Sequence, residues 1–282
     1  MRKLLTLSGL ALLLILAAAA ARAQADDPDE IADTLERSKA KGRLIACADP
    51  YNFPYAAQNS DPAGFDIEIM REIAKRGGMR LEMVWADTGT RGGTSRAFRN
   101  SILKKRCDVF LGLSDSGDGD DDMLMGQLAF TKPYLGLGYV LVVQGKAEGM
   151  KSVAELKKAN IKVGVPMSTP IDDYLFTNGV PRELFLDNRR IMQSMAKGEL
   201  DASLVWATAI AVAQREYPNV KFRMVEGYVP EAEQRWNLNF VVRKQDKALM
   251  EFINDGISDL LSNGRMKQIV ESYGVPFYPP FS

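Results

Sequence analysis

The chain has no histidine. That single absence removes Ser-His-Asp and Cys-His catalysis, every His-ligated metal centre and the Cys-x-x-Cys-His attachment of a c-type haem. Any catalysis would need carboxylate, Lys or Tyr chemistry, and no carboxylate pair stands in a recognisable motif. The sequence is therefore read as non-enzymatic, with no metal centre and no cofactor. Cysteine is limited to Cys47 and Cys107, which fits one bridge or two buried thiols. Both readings stay open: Cys47 late on one expected strand and Cys107 at the start of its neighbour would lie several residues apart in simple parallel register.

Net charge is lacking too, with 36 basic against 36 acidic side chains. Setting aside residues 1–25 removes Arg2, Lys3 and Arg22 and leaves a net charge of −3. Such a balance does not point to nucleic acid or an anionic membrane as partner. Those first residues read as a secretory leader. Arg2 and Lys3 precede an apolar stretch from Leu10 to Leu16 and an alanine tract, with small-residue cleavage points near Ala23 and Ala25. Beyond it, no segment approaches the roughly 18 consecutive apolar residues of a membrane span. An exported, periplasmic protein of two lobes or one large domain is expected.

The stretch from Leu44 to Tyr55 organises the rest. Leu44, Ile45, Ala46, Cys47 and Ala48 form a short apolar run, the pattern of a strand covered on both faces. Asp49 and Pro50 end it, and Tyr51, Phe53 and Tyr55 follow. Ligands of open α/β sheets sit beyond the carboxyl ends of strands, so this loop is a candidate cleft wall; the competing reading is that its rings cap the sheet.

Downstream, Gly64-Phe65-Asp66 opens a helix with Phe65, Ile69, Met70 and Ile73 on one face, Asp66 and Glu68 in its first turn and Gly77-Gly78 at its end. Leu81–Trp85 reads as a strand, Ser95 as the cap of a helix carrying Phe98, Ile102 and Leu103, and Cys107–Leu111 as a third strand. Strands alternating with helices predict βαβ units and a parallel sheet. The loop Gly89–Gly93 has neither glycine pattern of a phosphate loop. The acidic run from Asp115 to Asp122 reads as a solvated loop or as oxygen ligands for a hard cation, without the order of an EF-hand. The pattern then restarts. Ile161–Val165 leads to Ser168 and Thr169, read as an N-cap or as a holder of a polar group. Leu184–Leu186, Ala202–Trp206, Phe222–Val225 and Trp236–Val242 are strand-like, and two helices close the chain. Trp206, at the end of its strand, and Ser114 join the candidate cleft residues.

Several landmarks resemble the type II periplasmic solute-binding fold: Gly64-Phe65-Asp66, Cys107-Asp108-Val109, Phe130-Thr131-Lys132-Pro133-Tyr134, Lys197-Gly198-Glu199-Leu200-Asp201-Ala202 and Gly264-Arg265-Met266. That resemblance implies two α/β lobes, 26–143 with 236–282 and 144–235, and a cleft that closes by hinge motion. Amino-acid binders of that superfamily carry an Arg shortly before the Phe-Ser/Thr-x-Pro-Tyr element and an Asp after the strand that here ends Leu204-Val205-Trp206. Neither is present, so an amino acid's charges would be poorly paired. The cleft is expected to gather Asp49, Tyr51, Phe53, Tyr55, Phe65, Trp85, Ser114, Tyr134, Ser168, Thr169 and Trp206, with Tyr51, Phe53, Tyr55, Trp85 and Tyr134 as an aromatic cluster.

The combination Cys47-Ala48-Asp49-Pro50, Arg99-Asn100-Ser101-Ile102-Leu103 and Cys107-Asp108-Val109 resembles a narrower branch, the J proteins of bacterial methanol oxidation (MxaJ/XoxJ type). This implies an accessory factor for a PQQ-dependent methanol dehydrogenase, of the calcium or lanthanide type, and its cytochrome c. The alternative partners are a small solute and an ABC permease.

Overall fold

A computed structural model describes residues 33–115 and 126–282. The leader and Asp118–Asp122 of the acidic run lie outside the described residues.

The first part of the chain builds a parallel sheet. Helix α1 (Thr34–Ala40) leads into β1 (Arg43–Ala48), and the short hairpin β2 (Tyr51–Asn52) and β3 (Ala56–Ala57) follows. Next come α2 (Phe65–Arg76), β4 (Arg80–Trp85), α3 (Gly93–Asn100) and β5 (Val109–Ser114). β1 lies between β4 and β5, parallel to both, with Ala48 opposite Trp85 and Ala46 opposite Val109. The helix periodicity read from the sequence is realised in α2: Phe65, Ile69, Met70 and Ile73 are all buried, each stabilising the fold by about 1.5–3 kcal/mol relative to exposure. Gly64 is required by contact as well as by its φ of 130°, since a Cβ there would stand 2.2 Å from the Tyr55 carbonyl oxygen.

The chain then runs through β6 (Leu128–Phe130) into the long β7 (Leu135–Val143) and a second parallel set. That set comprises α4 (Val153–Lys158), β8 (Val163–Pro166), α5 (Pro170–Thr177), β9 (Arg182–Phe185), α6 (Asn188–Ala196), β10 (Ala202–Trp206) and α7 (Thr208–Glu216). β11 (Arg235–Arg243) returns, and α8 (Lys247–Ser262) and α9 (Arg265–Ser272) pack on the first set. The strand order is β4-β1-β5-β11-β7-β10-β8-β9, with β6 on β11. The fold is thus α/β and parallel on both sides. The sides are joined into one sheet because β11 and β7 pair antiparallel over Arg235–Leu238 and Leu135–Gly138.

Some local expectations are corrected. Ser95 lies inside α3, whose N-cap is Gly92 with φ 99° and no capping side chain. Ile102 and Leu103 belong to a separate 3-10 turn, Ile102–Lys104, because the chain breaks at Ser101. Phe222–Val225 is not a strand: flanked by Pro218 and Gly227, it touches β7 through one bridge, Met224 to Val142. Cys107 precedes β5 and leaves a left-handed turn at Lys105. It is therefore free of the strand register and reaches Cys47, with which it forms a disulfide at a Cα–Cα distance of 5.7 Å.

The C-terminal tail lies over the joint between the sides. Tyr278 bridges Gly136 of β7. Asn237 of β11 accepts from the Phe281 N–H at 2.7 Å and donates to the Phe281 carbonyl at 3.0 Å. The Arg235 guanidinium covers the Phe281 ring, and the Tyr278 hydroxyl donates to the carbonyl of Tyr228 at 2.7 Å.

Candidate functional site

The loop after β1 is shaped by Asp49. Its Oδ1 accepts from the Tyr51 N–H at 2.8 Å, and its Oδ2 accepts from the Thr88 N–H at 2.8 Å and from the Thr88 hydroxyl. The carboxylate thus ties the ends of β1 and β4 together, and its acceptor capacity is largely used within the fold. The three aromatics of the loop then part company. Tyr51 is exposed at 81 %. Phe53 lies under the guanidinium of Arg215 from α7, 4.8 Å away. Tyr55 turns inward onto the buried Phe65, with ring centroids 5.0 Å apart.

Tyr55 is also the point at which the two sides of the sheet meet. Its Oη accepts from Trp206 Nε1 at 2.9 Å and is hydrogen-bonded to the Thr208 hydroxyl. Burial pushes the Tyr55 phenol up to about 12, so it stays neutral at any physiological pH. Trp206 is set by β10, whose last residue it is, and by Asn188, which accepts from its backbone N–H at 3.2 Å. Beneath it, Tyr139 and Trp236 on β7 and β11 complete an aromatic floor. The Trp206 and Trp236 centroids are 5.5 Å apart, and Tyr139 stands edge-on to both at 5.6 and 6.5 Å. Tyr139 is hydrogen-bonded to Thr169.

Beside Tyr55, at the carboxyl ends of β1 and β5, a cavity of about 200 Å³ is lined by Asp49, Asn52, Tyr55, Asp66, Thr88 and Thr94, among others. Among the described residues, no Lys or Arg lines it. Asp66 was expected to complement the dipole of α2; it is instead fully buried, and its Oδ1 accepts from the Tyr134 hydroxyl at 2.5 Å. Its Oδ2 has no hydrogen-bond partner among the described residues. Burial, only partly offset by the Tyr134 bond, pushes its carboxyl up to about 8, so Asp66 is a neutral acid over most of the physiological range. Gly112 makes room for it: a Cβ at that position, with φ 71°, would stand 2.4 Å from Oδ2.

The expected aromatic cluster does not form. Tyr134 is buried, stacked on Phe240 at 4.3 Å, and Phe65 belongs to the same core. Trp85 lines a different cavity, with Arg96 and Arg106. Ser114 ends β5, and the adjacent Asp115 accepts from the Asn237 N–H at 2.8 Å. Thr169 is the N-cap of α5, while Ser168, with φ 59°, is exposed and donates its N–H to Asp172. Of the expected cleft residues, Tyr55 and Trp206 bond to each other across the two sides, and Phe53 meets Arg215 across them as well. Sequence reasoning missed Tyr139, Trp236, Thr208 and Arg215. The two rings had a readable signal, since each occupies a long strand that the chain uses to cross between the sides.

Comparison with known proteins follows from this geometry. A profile of the bacterial extracellular solute-binding proteins, family 3, matches residues 44–276. The L-cystine-binding protein TcyJ of Escherichia coli is 25% identical over 246 residues, 85% of each chain. A probable amino-acid ABC transporter-binding protein of Haemophilus influenzae is 23% identical over 253 residues, 87% of this chain and 89% of that one. In three dimensions the chain is similar to the unliganded, open L-cystine solute receptor of Neisseria gonorrhoeae. The TM-score is 0.66 at 19% identity, covering 85% of this chain and 95% of the receptor.

Proposed function

The chain belongs to family 3 of the bacterial extracellular solute-binding proteins, and from that membership we propose that it is a non-enzymatic periplasmic receptor that delivers a small solute other than a standard amino acid to an ABC permease. In this reading residues 26–143 with 236–282 form one lobe, residues 144–235 the other, and β7 and β11 are the hinge strands. The solute is held between Tyr55 and Asn52 on one lobe and Trp206 and Thr208 on the other.

The observation that carries the solute class is the neutral contact of Trp206 Nε1 with Tyr55 Oη. An α-amino acid brings a carboxylate and an ammonium into the cleft, and burying either without a counter-charge costs several kcal/mol. The cavity beside Tyr55 offers hydroxyls, an amide, a neutral acid and the Asp49 carboxylate, whose oxygens are already engaged by Tyr51 and Thr88; with no cation to match a ligand carboxylate, this suits an uncharged hydrogen-bonding molecule of few heavy atoms. Titration of residues 26–282 with cystine, the standard amino acids and a panel of small uncharged polar solutes tests this. A melting temperature that rises with the concentration of an uncharged solute is the expected result, about 2.7 kcal/mol of stabilisation at one hundred times Kd. Micromolar binding of an amino acid would overturn it.

A second reading, an accessory factor for a PQQ-dependent methanol dehydrogenase, draws on the J-protein resemblance. It is favoured by one observation: the lobes are tied by the protein's own groups, Tyr55 to Trp206 and Ser60 to Arg215. Such a protein could act in a closed shape without a solute. Recovery of a quinoprotein dehydrogenase on the mature chain, with higher activity or metal loading in its presence, would select this reading over the first.

A further inference from the structure

From Thr88 to Cys107 the sequence holds six basic residues, Arg91, Arg96, Arg99, Lys104, Lys105 and Arg106, and no acid. They are carried by the loop before α3, by α3 itself and by the 3-10 turn that follows, and all six are exposed. Five of them, Arg99 aside, form no ion pair among the described residues. Arg96 donates to the Arg91 carbonyl, Lys104 to the Asn100 amide oxygen and Arg106 to the Asn100 carbonyl, all neutral acceptors. Elsewhere several surface arginines pair with acids, as in Arg43 with Glu82, Arg189 with Glu216 and Arg265 with Glu72. Five cations without an acidic partner among the described residues, on a mature chain of net charge −3, make a local field that is not a consequence of overall charge.

At its centre a cavity of about 140 Å³ is bounded by Trp85, Thr90, Arg96, Asn100 and Arg106. Asp87 also lines it, with its Oδ1 accepting from the Gly89 N–H. Two guanidiniums flanking a small polar hollow beside an indole suit a single inserted carboxylate.

We propose that this face of α3 is a docking surface for an acidic protein face, with an Asp or Glu side chain of the partner seated between Arg96 and Arg106. The proposal is independent of what fills the cleft. A protein is favoured over a membrane because the patch has no fully exposed apolar group to insert: Ala97, Phe98 and Ile102 are buried in the core around Phe110, and Leu103 is half-buried against it. None of the large exposed apolar side chains lies between Thr88 and Cys107.

The test uses the mature chain and a fluorescein-labelled dodecapeptide of alternating Asp and Glu, followed by fluorescence anisotropy at low and at physiological salt. Saturable binding that weakens with salt is expected, with the doubly substituted R96E/R106E variant at least tenfold weaker. The control variant K158E/K162E changes net charge equally on the other side of the sheet, at exposed positions, and is expected to stay within twofold of wild type. Equal loss in both variants, or no binding by wild type, would overturn the proposal. Sedimentation with vesicles of phosphatidylglycerol and phosphatidylcholine is expected to leave the protein in solution; vesicle binding that requires Arg96 and Arg106 would make the patch a lipid contact and overturn it equally.

Discussion

Trp206 donates its indole N–H to the Tyr55 hydroxyl across the two sides of the sheet, at 2.9 Å. Because Tyr55 rides on the loop after β1 and Trp206 on the end of β10, this one bond reports the approach of both. Replacing Tyr55 by Phe keeps the ring on Phe65 and removes only the acceptor. The net loss of such a bond is about 1 kcal/mol, a fall of roughly 2–4 °C in melting temperature for a chain of this size. Small-angle scattering should show a larger radius of gyration. An unchanged radius and melting temperature would mean that the contact does not hold the two sides together.

Asp66 predicts a pH dependence of definite sign. Its folded pKa of about 8 stands above the ordinary value of 3.8. Between those values the folded chain holds a proton that the unfolded chain has released, so stability falls as pH rises. The contribution is complete below about pH 4 and lost by about pH 8. Asp66→Asn stays neutral throughout and should remove this slope, leaving urea midpoints that converge with wild type at acid pH and exceed it near pH 8. Parallel curves for the two proteins would show that Asp66 is ionised in the fold.

The Cys47–Cys107 bridge spans a sequence separation of 60 and ties β1 to the entry of β5. Chain-entropy reasoning assigns a loop of that length about 4 kcal/mol. Paired Ser substitution should lower the urea midpoint correspondingly. Both cysteines are fully buried, so the native protein should resist reductant until it is partly unfolded. Rapid reduction of the folded chain would contradict this.

Deleting residues 277–282 removes the Tyr278 and Phe281 contacts with Gly136, Arg235, Asn237 and Tyr228. Amide exchange should quicken at residues 226–231 and along the first half of β7, with little change in α2. Equal protection in the two proteins would show that the tail does not brace the joint.

What could be read from the sequence follows what physics writes locally. Ala202–Trp206 is legible to the residue because an apolar run, interrupted only by the small Ser203, is bounded by Asp201 and by the turn into α7. The α2 face is legible because helical spacing selects Phe65, Ile69, Met70 and Ile73 together. Side-chain direction in the loop after β1 is not, since Tyr51, Phe53 and Tyr55 carry the same chemistry to solvent, to Arg215 and to Trp206. Asp66 misleads for a related reason: a first-turn acid satisfies the helix dipole on paper, and only the hydroxyl of Tyr134, 68 residues away, reveals the buried pair. The disulfide depends on a left-handed turn at Lys105, a residue type that gives no warning of it.

β11 sits between β5 and β7 although it is the last strand to be made. A chain emerging from its N-terminus has β1, β4 and β5 ready early, but the flank of β5 that β11 will cover stays open until residue 243 appears. The second parallel set, contiguous in sequence, faces no such wait. Newly made molecules therefore pass through a stage with one half assembled and the other showing a bare strand edge, and there aggregation and proteolysis compete with completion. A truncation before β11 would leave every molecule at that stage, whereas one removing only the final tail would not.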